Sequence, residues 1–176
     1  MEELARIGVQ YAIRIGSCGA LQREIHLGDL VLVQAAVRDE GTSKSYIEPI
    51  YPAIPDYSLL EACVAAAREE QIPYHIGMAR SHDSFYTDRE DEIDAYWSKQ
   101  GVLGADMETA ALFTIGSMRG IKTASILNTV VEYEENLEDN INSYTDGATA
   151  MMTGEHNEIH TALEAFYRIS ATQTTA

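Results

Sequence analysis

The sequence predicts an α/β protein whose largely parallel sheet is flanked by helices. Two observations favour this fold class. Short apolar runs typical of buried strands alternate with longer stretches whose apolar residues recur at helical spacing, and no segment repeats. The length of 176 residues, with 45% hydrophobic and 23% charged residues, is ordinary for a globular protein with one sizeable core. A single domain is therefore expected.

The N-terminal part predicts two strands. Residues 2–5 (EELA) are typical of the end of a helix with no visible beginning. Residues 9–15 (VQYAIRI) form an apolar run that predicts a buried strand ending at Gly16. A turn at Gly28 introduces a second predicted strand over residues 29–37 (DLVLVQAAV).

The middle of the chain predicts a loop, a helix and a strand. Residues 41–55 hold three of the four prolines, which indicates an irregular loop. Apolar residues at helical spacing predict a helix over residues 57–71, and Pro73 stops it. A strand is expected over residues 74–79, followed by a polar and aromatic turn at 81–86.

The C-terminal part continues the alternation. It predicts helices over residues 89–101, 107–119 and 156–169, and strands over residues 102–105 and 122–131. The resulting order, β-β-α-β-α-β-α-β-α, is typical of parallel strands connected by helices. We therefore place one domain over residues 1–169 and a polar tail at 170–176.

Charge and composition exclude several classes of protein. Twelve Lys and Arg residues against 28 Asp and Glu residues give a net charge of −16, whereas a duplex nucleic-acid binder needs a basic surface. No apolar run approaches the ~18–20 residues that span a bilayer, and the N-terminus lacks the basic start of a signal peptide. Cys18 and Cys63 show neither paired nor metal-ligand spacing, which predicts free thiols in a reducing cytoplasm.

Polar residues at the end of the first strand form the first candidate site. Ligands gather at the carboxyl ends of strands in α/β sheets, and Arg14 is followed there by Gly16, Ser17 and Gly19. Glycines and a serine let backbone N–H groups turn toward an anion, to which Arg14 adds fixed charge. A tight turn with a surface arginine is the alternative, although a buried guanidinium needs an anion.

The turn at residues 81–86 forms the second candidate site. A Ser-His-Asp string stands there, but adjacent residues cannot face one another as a catalytic triad requires, so a triad hydrolase is excluded. Phe85 is a candidate to stack on a planar base, with a core phenylalanine as the alternative.

The third candidate site lies where a strand becomes a helix, at Asp106, Met107 and Glu108. Glu108 is suited to bind vicinal hydroxyls through both oxygens, and Met107 to pack against an apolar ring face. The alternative is a carboxylate that favours the helix dipole beside a core methionine.

A metal site is not predicted. His156 and His160 have the spacing of zinc ligands on a helix, but Asn157 stands where zinc proteases of that pattern have glutamate. A solvated histidine pair is the expected arrangement. The chain also contains neither a Walker A nor a Rossmann fingerprint.

Together, these segments resemble the nucleoside phosphorylase family, and in particular its bacterial uridine phosphorylases. Four motifs carry the resemblance by their order and spacing: RIGSCGA at residues 14–20, GDLV at 28–31, SFY at 84–86 and ME at 107–108. It extends over residues 2–166. It implies the family's three-layer α/β/α fold around a mixed, largely parallel sheet, and a homo-oligomer, namely a hexamer built from dimers.

The resemblance implies roles for the first two sites. Arg14 and Ser17, with the backbone of Gly16, match the family's phosphate-binding residues. Phe85 matches the aromatic residue that stacks on the base.

The resemblance also implies the reaction. Met107 and Glu108 match the ribose-binding pair, with Glu108 holding the sugar hydroxyls, and Asp106 stands at a position that is often glutamate. Phosphate attacks the anomeric carbon while the base departs through an oxocarbenium-like state. Inorganic phosphate is the co-substrate, and no metal or organic cofactor is expected.

Base preference depends on Val130 and Val131. Purine-specific relatives place an aspartate where Val131 stands, and because valine donates no proton, purine chemistry would lose its general acid. The apolar pair is what uridine enzymes show. The family's uracil-reading Gln and Arg are replaced by Arg89 and Asp91, so Arg89 is the candidate donor to a uracil carbonyl. Uridine is the expected substrate, and purine nucleoside phosphorylase is the alternative.

Family members carry a further N-terminal portion that completes the phosphate site, and we expect this chain to lack it. This expectation supports a rival from a different class, an inactive remnant that binds nucleosides or only oligomerises. Nucleoside binding without phosphate-dependent turnover would distinguish that rival.

Overall fold

The centre of the molecule is a set of five strands among the described residues. The structure is a computed structural model that describes residues 1–133 and 144–174. The strands are β1 (Tyr11–Ala20), β2 (Leu30–Asp39), β3 (Tyr74–His82), β4 (Val102–Asp106) and β5 (Lys122–Val131). They pair in the order β1-β4-β3-β2-β5 and close into a barrel.

The strand pairings are mixed, as predicted. β1 pairs with β5, β2 with β3, and β3 with β4 in parallel, whereas β1–β4 and β2–β5 are antiparallel. The short β1–β4 pairing of Gly19 with Ala105 and of Ala20 with Gly104 closes the barrel. Register shifts in β1 between Cys18 and Gly19 and in other pairs supply the local bending that closure requires. The sequence pattern predicted a sheet as the middle layer. It did not indicate that this sheet closes into a barrel.

Six helices accompany the strands in the described parts of the chain. They are α1 (Glu2–Arg6), α2 (Gly41–Lys44), α3 (Tyr57–Glu69), α4 (Glu90–Lys99), α5 (Thr109–Arg119) and α6 (Tyr144–Thr174). The Asp56 carboxylate caps α3 by accepting a 3.0 Å hydrogen bond from the Leu59 amide. Gly120, in the left-handed conformation at φ 70°, ends α5. Within these ranges, no helix combines the length and apolar character needed to cross a membrane.

The core lies on both sides of the strands because β2 is buried on both faces. Leu30 and Leu32 point to one side, where they pack with α3 and α6. Val31 and Val33 point to the other, where they pack with Phe113 of α5. Helices therefore cover the strands from two sides, as the three-layer arrangement implies.

The first strand is longer than predicted. It continues past Gly16 to Ala20, because its partner β5 extends alongside it and pairs Gly16 with Leu127 and Ser17 with Asn128. The predicted end of the strand at Gly16 was therefore wrong, and Gly16 and Ser17 are strand residues.

The loop predicted over residues 41–55 begins instead with the short helix α2. The buried Glu40 carboxylate caps this helix by accepting a 2.8 Å hydrogen bond from the Ser43 amide. Buried Arg38 then orders the rest of the segment by donating to the backbone carbonyls of Glu48 and Tyr51, each at 2.7 Å. The prediction of an irregular loop did not anticipate that Arg38 and Glu40 are buried and order this segment.

The last helix is also longer than predicted. It begins at Tyr144 rather than at His156 and continues through the predicted boundary at residue 169 to Thr174. Its N-terminal half contains Gly154, which weakens a helical pattern in sequence but permits close packing. A Cβ atom at Gly154 would lie 2.8 Å from the Cα of Gly28, in the β1–β2 connection.

Candidate functional site

An arginine and two acids bring β1, β4 and the start of α5 together. The Arg14 guanidinium forms an ion pair with Glu108 through Nη2 and Oε2. Its Nε lies 3.5 Å from Oδ2 of Asp106. Arg14 is only 17% exposed, whereas Glu108 is 61% exposed. A half-buried cation thus holds a carboxylate that still faces solvent, and such a carboxylate can accept hydrogen bonds from hydroxyl groups.

Asp106 lies behind this pair. Its side chain is fully buried, and it accepts hydrogen bonds from Ser81 Oγ at 2.6 Å, from the Thr109 amide at 3.0 Å and from Thr109 Oγ1 at 2.5 Å. With its oxygens held by protein donors, Asp106 positions Arg14 and the first turn of α5. Its burial does not support the predicted direct contact with ribose.

Ser81 belongs to the same buried network. Its hydroxyl donates to Asp106 and accepts a 2.9 Å hydrogen bond from the Ala110 amide. This structural role agrees with the exclusion of a Ser-His-Asp triad at residues 81–83.

Gly16 allows Arg14 to lie close to the strand segment that holds the other residues predicted to bind phosphate. A Cβ atom at Gly16 would lie 2.7 Å from Nη1 of Arg14, so the absence of a side chain allows the guanidinium to lie against the strand. That Nη1 atom is buried and has no hydrogen-bond partner in the described part of the chain. Ser17, the next residue, is exposed. Arg14 therefore retains an N–H donor beside the residues predicted to bind phosphate.

The resemblance implies that the Gly16 backbone binds phosphate, but its amide already has a hydrogen-bond partner in the structure. It donates a 2.9 Å hydrogen bond to Oε2 of Glu158, from α6. Glu158 is only 5% exposed, and burial raises its pKa to about 7, against the lowering effects of the Gly16 amide and the Arg14 guanidinium. Sequence reasoning missed this residue. The available signal was a glutamate in line with Ala162 and Ala165, on the buried face of the helix.

A cavity of about 410 Å³ opens beside Gly16 and Ser17. Its wall from β5 includes Asn128 and Val130, and its lining from α6 consists of Ala148, Met151, Met152, Glu155 and Glu158. Asn128 Nδ2 donates to the Met151 carbonyl at 2.9 Å. We call this space the α6 cavity. It joins two predicted phosphate residues to Val130, a predicted base residue.

A second cavity, of about 670 Å³, lies at the ion pair between Arg14 and Glu108. Arg14 and Glu108 line it, together with Tyr46, Leu112 and residues of α1. Arg14 lines this second cavity and lies against Gly16, which lines the α6 cavity.

The remaining predicted base residues lie elsewhere. Phe85 is 64% exposed and packs edge-on against Tyr86, with ring centroids 5.0 Å apart. Arg89 is exposed and forms an ion pair with Glu92 at 3.0 Å. Neither side chain lines either cavity. The structure therefore does not bring Phe85 or Arg89 to Arg14 and Glu108.

Met107 and Val131 are half-buried at the margins of the site. Met107 lies between Asp106 and Glu108 in the chain, and Val131 pairs with Gly19 at the end of β5. Neither residue lines the two cavities described above.

The cysteines and histidines give no metal centre in the described ranges. No group of three or more His, Cys, Asp or Glu side chains in these ranges is arranged to hold a metal ion. Cys18 and Cys63 are free, and burial raises the pKa of each thiol to about 12, which keeps them protonated and unreactive. The rings of His156 and His160 lie 6.2 Å apart.

Comparison with known proteins decides the family. The sequence model of the Phosphorylase superfamily matches residues 1–170 of this chain. The chain belongs to this superfamily. The predicted family is confirmed, and with it the α/β fold class.

Relatives within the Phosphorylase superfamily act on different bases. Guanosine phosphorylase of Halorubrum lacusprofundi is 38% identical over 126 residues, which cover 72% of this chain and 52% of that protein. Uridine phosphorylase of Thermococcus kodakarensis is 37% identical over 138 residues, covering 72% and 50% respectively. The chain thus spans about half the length of the curated relatives it matches.

A solved structure gives a similar result over more of the chain. Uridine phosphorylase from Vibrio fischeri, complexed with 6-hydroxy-1-naphthoic acid, superposes with a TM-score of 0.89 at 48% sequence identity. The match covers 95% of this chain and 67% of that one.

Proposed function

We propose that the chain carries the catalytic core of a nucleoside phosphorylase, with uridine as the substrate that the relatives support best. The reaction is the conversion of uridine and inorganic phosphate to uracil and ribose 1-phosphate. The observation that carries the proposal is the contact between Arg14 and Glu108 beside Gly16 and Ser17. It places an anion-binding group against a hydroxyl-binding group, as phosphate and ribose require when they react with each other.

In the proposed mechanism, Nη1 of Arg14 and the Ser17 hydroxyl hold phosphate, and Glu108 accepts hydrogen bonds from the ribose hydroxyls. A phosphate oxygen forms a bond to the anomeric carbon as the bond from that carbon to the base nitrogen breaks, and the electron pair leaves with the base. The phosphate charge stabilises the positive sugar ring in the transition state. These steps need inorganic phosphate as co-substrate and no metal or organic cofactor.

Uracil is the proposed base because Val130 and Val131 provide no proton donor. A uracil anion is a leaving group that hydrogen bonds to its carbonyl oxygens can stabilise, whereas purine departure is assisted by an acid at the ring nitrogen. Arg89 remains the proposed donor to a uracil carbonyl, and Phe85 the proposed stacking residue. Both require the exposed segment that holds them to close over the base.

Purine nucleosides are the second candidate. The guanosine phosphorylase of Halorubrum lacusprofundi, at 38% identity, is the observation that favours them.

The test is chromatographic. The protein is incubated with uridine, thymidine, inosine and guanosine, each with and without phosphate, and free base is measured. Phosphate-dependent release of uracil supports the proposal, and release of hypoxanthine or guanine selects the purine alternative. Nucleoside binding without release of any base identifies an inactive nucleoside-binding protein instead.

We further propose a homo-oligomer, a hexamer by analogy with the family, that works in the cytoplasm. Large exposed apolar side chains such as Ile50, at 94% exposure, support association, and the free buried thiols suit a reducing compartment. Size-exclusion chromatography with light scattering measures the mass of the assembly, and a monomer would contradict the oligomer.

A further inference from the structure

Two opposite charges lie on either side of Gly16. The Arg14 guanidinium packs against the glycine, with Nη1 2.7 Å from the position that a Cβ atom would take. The Glu158 carboxylate binds the amide of the same residue at 2.9 Å. An anion that binds Nη1 of Arg14 would therefore lie close to another anion whenever Glu158 is ionised.

The surroundings of Glu158 make its ionisation costly. From β1, Arg14 faces it as a cation and the Cys18 thiol as a neutral group, and from α6 itself Glu155 faces it as an acid. β5 contributes the backbone amide of Asn128 and has no ionisable side chain after Lys122. Burial is the largest effect and raises the pKa of Glu158 to about 7, with a smaller rise from Glu155. Near neutral pH, a small change in the local charge is enough to move its proton.

We propose that Glu158 is a positioning residue whose protonation is coupled to the binding of phosphate. With phosphate on Arg14 and Ser17, the Glu158 carboxyl takes a proton from solvent and becomes neutral. Its carbonyl oxygen continues to accept the hydrogen bond from the Gly16 amide, so the strand keeps its place. Glu158 itself forms no bond to phosphate. This inference rests on the proposed function, because it takes the phosphate site to lie at Arg14 and Ser17.

Reciprocity gives the direction of the pH effect. If a bound dianion favours the neutral form of Glu158, then the neutral form favours the bound dianion by the same factor. Anion affinity should therefore be high below pH 7 and fall as the pH rises through the pKa of Glu158. A coupling of about tenfold is ordinary for two groups that influence each other in this way.

The test uses sulfate, a dianion that does not titrate near neutral pH, in place of phosphate. Calorimetric titration in two buffers of different protonation enthalpy measures the protons taken up on binding. With tenfold coupling, we expect about half a proton per sulfate at about pH 7.5. Competition with phosphate in the uracil-release assay shows that sulfate occupies the phosphate site.

Glu158→Gln separates charge from structure, because the amide oxygen can still accept from Gly16. We expect no proton uptake, sulfate affinity that no longer depends on pH, and affinity about tenfold higher than wild type above about pH 8. Above about pH 8, where phosphate is a dianion, its Michaelis constant should be about tenfold lower in Glu158→Gln than in wild type, and that for uridine should not change. Glu155→Gln, which removes an exposed acid that makes only a small contribution to the raised pKa of Glu158, should keep the proton uptake and shift its pH range slightly downward.

Sulfate binding without proton uptake by the wild-type protein would overturn the inference, and so would an unchanged pH dependence in Glu158→Gln. In both cases, phosphate-dependent uracil release would leave the proposed function standing. The wild-type calorimetry decides the question even if the variant folds poorly. Absence of both anion binding and base release would overturn the inference together with the proposed function.

Discussion

The residues assigned to phosphate and ribose lie in a different environment from the residues assigned to the base. Arg14, within β1, contacts Glu108 at the start of α5, beside a fully buried Asp106. Phe85 and Arg89 lie on an exposed segment and contact mainly their own neighbours in sequence. Under the proposed function, the reacting end of the substrate would therefore meet a preformed site, whereas the base would meet one that must still close.

This contrast has a chemical reason. Bond breaking at the sugar requires groups held in place before the reaction, and the hydrogen bonds from Ser81 and Thr109 to Asp106 provide that support. Recognition of a base tolerates movement, since binding can order an exposed segment. Substitutions in the two regions should therefore differ in both kind and size of effect.

The largest effect is expected in the preformed region. Glu108→Ala should lower kcat/KM by about 100-fold or more, because it removes the group proposed to hold the ribose hydroxyls. Steady-state kinetics of uracil release measures the change. Glu61→Ala, on the exposed side of α3, is the control and should behave as wild type. Unchanged turnover in Glu108→Ala would show that Glu108 does not hold the ribose, and the contrast between the two regions would then have no chemical meaning.

Asp106→Ala should show that the support is structural. The substitution leaves the donors Ser81 Oγ and Thr109 N without their partner and removes an acid beside Arg14, at a cost of about 3 kcal/mol in the free energy of unfolding. Urea denaturation measures it. Glu92→Ala breaks the ion pair with Arg89 in the exposed region and should leave the midpoint where it is. Equal effects of the two substitutions would contradict the contrast.

Gly16→Ala tests how closely Arg14 must lie against the strand. The added methyl group would meet Nη1 at 2.7 Å and displace the guanidinium, which should raise the Michaelis constant for phosphate about tenfold, equivalent to ~1.4 kcal/mol. Gly19→Ala is a matched control in the same strand, since nothing lies within 4 Å of its added Cβ. If both variants bind phosphate equally well, the close contact between Arg14 and Gly16 does not contribute to phosphate binding.

The smallest effect is expected at Phe85. Loss of a stacking ring should raise the Michaelis constant for uridine by about three- to tenfold. Stability should not change, because the side chain is mostly exposed. Kinetics and thermal unfolding check both parts, with Tyr57→Ala as a control at another exposed aromatic residue. A large loss of stability would mean that the segment is already packed against the fold.

Most of the fold could be predicted because its signals are local. The apolar runs of β2 and β5 are buried on both faces, and the helical stripe of α3 ends before Pro73. Closure of the barrel could not be predicted, since it depends on a short pairing between β1 and β4, far apart in the chain. The extent of β1 was missed for the same reason, because β5 supplies the partner.

The candidate site could also be predicted only where its signals are local in the sequence. Arg14 and Glu108 could be named because each is a charged residue in a motif next to an apolar run, and the structure places them in contact. Glu158 could not, because its significance comes from Gly16, 142 positions earlier in the chain. A charged residue on a helix gives no sign of its partner until the helix is packed.

The way α6 packs has a consequence for the diversification of this protein. Met151, Met152 and Glu158 line the α6 cavity from one helix, while Arg14 and Glu108 belong to other elements. Gly154 allows α6 to pack closely against Gly28 and the Asn128 side chain, and Asn128 Nδ2 donates to the Met151 carbonyl at the same place. Exchanges at Met151 and Met152 would therefore change the shape of this cavity while Arg14 and Glu108, the groups proposed to act on phosphate and sugar, stay in place, so the proposed enzyme could acquire new substrates without a change in its reacting groups.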